Sequence, residues 1–263
     1  MNRTISLLNS LVILFFILLS CSNEPAKERQ HTEKKRIEFP EEFKKLAVFE
    51  NYVQKVEKNK NLDRIQSLFY TDSEGNTTEA IAWINNKMEI VKMKQTETQT
   101  NGKKTEQTFY FLNGLKSVSQ QVVYHYEKKH PIFTEKRSYY SLTGAVIATF
   151  ERTATTENLS SVELENGVKE MLDHQKCLAI VKRTGDFETR FRGFDEAFGR
   201  KYIVLGTDHQ TTTVAFNVES PILKQLLQSE SSYKNKRMDV QFSPITEPDG
   251  FSFQALVSLD FSS

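Results

Sequence analysis

Two cysteines and five histidines are the chain's candidate nucleophiles and metal ligands, so their spacing decides which chemistry is open. Cys21 closes the most apolar stretch, in the run Ile17-Leu18-Leu19-Ser20-Cys21-Ser22-Asn23. A thiol at that position is either a core residue or a point of covalent attachment. Cys177 stands beside Leu178 and Ile180 and reads as a buried small hydrophobe. His174 would face it on a helix, but no third member of a nucleophilic set lies nearby. His31, His125, His130, His174 and His209 form no HExxH pattern and no Cys/His zinc spacing. There is also no GxSxG elbow, no glycine-rich phosphate loop and no calcium loop. Neither a metal nor a cofactor is expected. The acids Asp195-Glu196 and Glu163/Glu165 could be paired as in glycan hydrolysis, but neighbouring acids more often form a solvated face.

The leader decides the question at Cys21. Arg3 precedes an apolar run from Ile5 to Leu19, and its unbroken part, Leu11 to Leu19, is short. A spanning helix needs about 20 apolar residues. A positive start, a short apolar middle and a small residue at the end describe a secretory signal peptide over residues 1–20. The tetrad Leu18-Leu19-Ser20-Cys21 resembles the lipobox of bacterial lipoproteins. That resemblance implies cleavage between Ser20 and Cys21 and acylation of the Cys21 thiol. Membrane lipid then becomes a partner and the cell envelope the address. Ser22, rather than Asp, in the next position implies the outer membrane. One acyl chain holds a protein only marginally, whereas two or three hold it firmly.

Charge excludes a broad class of partners. Lys and Arg number 35 against 34 Asp and Glu, and Arg3 leaves with the leader. A neutral chain carries no general electrostatic footprint for nucleic acid. Residues 21–40 are charged and nearly free of large apolar groups, which describes a solvated tether. If Cys21 is acylated, Cys177 is left without a partner for an internal disulfide.

Hydropathy then places the folded elements. Pro40, Glu41 and Glu42 signal a helix start. Phe43, Leu46, Phe49, Val53 and Val56 continue it at helical spacing to about Asn59. From Leu62 the period becomes two. Strands are expected over 64–71, 78–84, 88–98, 105–112, 115–126, 134–142 and 145–153. Asn101-Gly102 and Asn113-Gly114 are read as type I′ hairpin turns. The segments AWINNKMEIV, FYFLNGLKSV and YYSLTGAVIA repeat an aromatic-aliphatic-turn-strand unit, one hairpin each of an antiparallel meander. The first helix is expected to cover one face of that sheet, leaving the other wet. A connecting helix is expected within 158–184.

The last part alternates most clearly. Phe251, Phe253, Ala255, Val257, Leu259 and Phe261 share one strand face. Strands at 187–194, 201–205 and 212–218 precede a helix at 221–229 with Ser220 as N-cap, and a strand at 237–242 follows it. Three strands, a helix and two strands resemble an OB-fold, a small five-stranded barrel. The expected class is therefore mainly β (α+β): a helix and antiparallel β-meander over 41–157, then an OB-like β domain over 185–263. Arg190, Arg192 and Tyr202 form the candidate ligand face. The functional expectation is a non-catalytic, lipid-anchored envelope protein that binds or braces another envelope component. An oligosaccharide- or peptide-binding module and an envelope hydrolase with scattered residues remain the alternatives.

Overall fold

The structure, a computed structural model, describes residues 45–126, 130–217 and 220–262. The leader, Ser20, Cys21, the tether and the Pro40 helix start lie outside the described residues. Helix α1 (Ala47–Lys58) follows the apolar stripe. Its buried Val53 and Val56, with Leu46, pack on Tyr110, Val118, Tyr139 and Phe150 of the meander. One buried residue on that stripe is charged. Glu50 accepts from Arg137 Nη1 at 2.8 Å and from the Tyr139 hydroxyl at 2.7 Å. Glu135 accepts from Arg137 at 2.9 Å and from Arg152 at 2.5 Å. Burial alone would raise the Glu135 carboxyl, but the two guanidiniums outweigh it and hold it below the usual carboxylate range.

The meander comprises β1 (Asp63–Gln66), β2 (Tyr70–Asp72), β3 (Thr77–Ile84), β4 (Ile90–Thr98), β5 (Lys104–Leu112), β6 (Leu115–His125), β7 (Ile132–Tyr140), β8 (Val146–Ala154) and β9 (Glu165–Asn166). The strand read over 64–71 is broken in two. β1 and β2 both pair with β3, but the register shifts by one residue between Ser67 and Tyr70. That is a β-bulge, and it turns the backbone of Phe69 away from β3.

Most hairpins use one device. At Asp72–Asn76, Asn85–Glu89, Gln99–Lys103 and Ser141–Ala145 a three-residue loop closes with its last residue in the left-handed region. Asn101-Gly102 therefore sits in a three-residue loop, because only Gly102 has positive φ. Asn113-Gly114 is the two-residue turn expected, with both φ positive. Gly fills the left-handed position in three of those four loops; Met88, at φ 63°, fills the other.

The second face of the meander is not wet. β5 shows why: Tyr110 packs toward α1, while Phe109 and Phe111 point to the opposite core with Leu172, Cys177 and Ile180. Cys177 and Ile180 belong to helix α2 (Gln175–Lys182), which packs over β3 and β4. Within 158–184 the α-helix is Gln175–Lys182. Leu159–Ser161 is a single 3-10 turn, and irregular chain carries Leu172 across the sheet.

The remaining strands are β10 (Phe191–Ala197), β11 (Arg200–Gly206), β12 (Gln210–Phe216), β13 (Met238–Thr246) and β14 (Ser252–Phe261). Helices α3 (Pro221–Gln228) and α4 (Glu230–Tyr233) intervene, and Ser220 caps α3 through Leu223 N–H at 3.2 Å. β12 joins the two β parts: it pairs antiparallel with β2 at Gln210 and Thr211 and parallel with β14 at Ala215. The hydrogen-bonded path runs from β10 to β9 without closing on itself. The protein is therefore mainly β, with one large mixed sheet and few helices.

Candidate functional site

Where β12 leaves β2 and meets β14, the sheet forks. A cavity of about 650 Å³ opens there, bounded by the β1–β2 bulge, the β10–β11 turn and the β13–β14 hairpin. Gln254 ties its base together. Its side-chain oxygen accepts from Phe69 N–H at 2.8 Å, and its amide nitrogen donates to Thr212 Oγ1 at 2.9 Å and to the Thr213 carbonyl at 3.0 Å. A single side-chain amide thus does the work of a peptide group between diverging strands.

The rim is aromatic. Phe198 is 84 % exposed, Phe69 44 % and Phe251 37 %. Phe198 and Phe251 meet edge to face, with ring centres 5.8 Å apart. The Arg200 guanidinium lies over Phe253 at 4.7 Å and bonds Glu247 at 2.5 Å, bracing the back of the β13–β14 hairpin. Phe198 also has an unfavourable backbone. It occupies the first central position of the Ala197–Arg200 turn at φ 52°, followed by Gly199 at φ 71°. That turn suits Asn or Gly. A bulky residue there is strained, and such strain gathers at functional sites. An exposed ring in a strained turn contributes little to the fold, so its place is better explained by what it meets at the cleft mouth.

The lining is mixed, with apolar walls and two carboxylates. Glu79 and Asp195 are the only Asp, Glu, Lys or Arg side chains that line the cavity among the described residues, beside the hydroxyls of Thr211, Thr212 and Thr213. Neither carboxylate makes an ion pair among the described residues; Asp195 accepts only from Glu196 N–H at 2.8 Å.

Of the residues singled out in the sequence, Tyr202 lines this cavity. Arg190 and Arg192 are not among its lining residues. Arg190 bonds Glu188 at 2.6 Å, Arg192 bonds Asp208 at 2.6 Å, and both donate to Asn235. The acids also separate: Asp195 lines the cleft and Glu196 does not, while Glu163 and Glu165 lie beyond β8. Cys177 is fully buried and its thiol is pushed up to about 12 by that burial. His174 lies against the Phe111 and Phe109 rings, where burial first and Lys116 second hold it below its ordinary value. No group of three metal-ligating side chains occurs among the described residues. Sequence reasoning missed Gln254, Phe69 and Phe198. Only Phe198-Gly199 carried a signal, a turn dipeptide with its first residue too large.

No protein-family model matches this chain, and no curated protein matches it.

Proposed function

We propose that this protein is a lipid-anchored component of the bacterial cell envelope, directed to the outer membrane, and that it binds an envelope ligand without catalysis. The anchor rests on Leu18-Leu19-Ser20-Cys21. The binding role rests on one observation: an open cleft whose mouth holds an exposed, strained Phe198. The cleft also suits an OB-like reading of residues 185–263. Strand order β10-β11-β12-β14-β13, the parallel β12–β14 contact and the bridge between Arg190 and Arg237 all support that reading. OB-folds bind ligands on the face of their second and third strands, between the first-second and fourth-fifth loops. The Phe198 turn and the Glu247–Phe251 loop occupy those places here. The two carboxylates argue against a nucleic acid, whose phosphates they would repel.

Two measurements test the proposal. Cells fed a labelled fatty acid should label the wild type but not Cys21→Ala, and an unlabelled, soluble wild type would remove the anchor. Mild crosslinking in whole envelopes should capture a component through wild type and lose it in Phe198→Asn. Equal capture by both would remove the cleft from the binding role.

A further inference from the structure

The lips of the cleft are strand edges with main-chain groups to spare. Among the described residues β1 pairs with β3 alone, and β14 meets β12 at a single register pair. Ser67 N–H donates to Ala80 O at 2.8 Å, so Ser67 is a bonded position toward β3. Alternation in an antiparallel ladder then turns the N–H and C=O of Gln66 the other way, toward the cleft. On the opposite lip Glu247 N–H donates to Phe251 O at 2.8 Å. The same alternation turns the main chain of Ser252 toward the cleft, and Gln66 and Ser252 both line it. The outer edge of β13 is different: Pro244 lies there, opposite Gln254, and proline blunts a sheet edge against strand addition. The fold blocks one edge and leaves its neighbour open.

Resting on the reading of this cleft as a binding site, we propose that its ligand is an extended peptide segment of a partner protein, added as a strand along the lips. Gln254 already shows the required chemistry, accepting from the β1–β2 bulge and donating to β12 with a single amide. Strand addition draws affinity from main-chain bonds and specificity from alternate side chains. Here those side chains are a basic group, facing Glu79 and Asp195, which make no ion pair among the described residues, and an aromatic or large aliphatic group, meeting Phe198 and Phe251. Residues two apart on a strand share a face, so the segment carries the basic and apolar residues at that spacing.

The test pans phage-displayed random heptapeptides on the full-length protein in detergent, with Phe198→Asn as counter-selection. Enriched sequences should place Lys or Arg two residues from Phe, Trp, Leu or Ile. A synthetic copy should bind about tenfold more weakly when alternate peptide nitrogens are methylated, and should weaken similarly against Glu79→Gln/Asp195→Asn. Circular dichroism melts of that double variant establish that it folds. Enriched peptides that lack a basic residue, or that bind unchanged after methylation, overturn the proposal. Chitohexaose serves as the glycan probe. If it binds in a Phe198-dependent way while no peptide is enriched, the peptide proposal falls and the binding cleft stands. If neither binds, both fall.

Discussion

Gln254 Oε1 accepts from Phe69 N–H at 2.8 Å, across 185 positions of sequence. The contact joins the bulge of the meander to the last strand, and the same amide holds Thr213. Gln254→Met keeps the length and removes all three bonds, the one to Thr212 Oγ1 included. Each such bond contributes about 1 kcal/mol net, and exposed partners can turn to water. The variant should lose about 1–2 kcal/mol in urea titration. Faster amide exchange should be confined to Phe69 and its neighbours. A loss spread over α1 and β8 would contradict a local stitch.

Met88 stands at φ 63° where three sister loops have Gly. Its side chain is 73 % exposed, so removing it costs little packing. Met88→Gly should therefore gain about 1 kcal/mol from relief of the left-handed conformation, read as a higher denaturation midpoint with an unchanged slope. A lower midpoint would mean that Met88 makes contacts that outweigh the strain.

The Cys177 thiol is pushed up to about 12 by burial, against about 8.5 in an unfolded chain. Its folded pKa is raised, so its contribution to stability is complete below about 8.5 and is lost as pH climbs toward 12. The folded protein should not react with iodoacetamide at pH 8, and stability should fall above about pH 8.5. Cys177→Ala should make that alkaline decline shallower. Rapid alkylation of the native protein would place the thiol within reach of solvent.

Much of the architecture could be read in the sequence because local signals and burial agree. The alternating run ending at Phe261 became β14, the Asn113-Gly114 turn held, and Ser220 with Pro221 started α3. The stretch from Leu159 to His174 could not be read, because its apolar residues answer to two sheet faces and not to a helical period. The cleft was hidden for a related reason. Gln254 and Phe69 meet only through the junction of β2 with β12, which no periodicity encodes, and of the candidate site residues named from the sequence Tyr202 and Asp195 fall in it. Arg190 and Arg192 show the converse: a basic strand face reveals nothing of the acids, Glu188 and Asp208, that fold beside it.

Glu135 carries the sharpest prediction about stability. It is 2 % exposed and bonds Arg137, Arg152 and Gln120 at once. Glu135→Gln leaves two largely buried guanidiniums short of their counter-charge, since Glu50 reaches only Arg137. Breaking a buried pair by removing one partner costs about 3–5 kcal/mol, and that loss is expected in chemical denaturation of this variant. The pH dependence has a definite sign. The Glu135 carboxyl is held below its ordinary value, so its contribution is complete above about pH 4.3, the unfolded value, and is lost as pH falls through the lowered one. Wild type should weaken steeply on acidification below that point, and Glu135→Gln should show a shallower acid limb. Parallel acid limbs in the two proteins would mean that Glu135 does not titrate against the folded state.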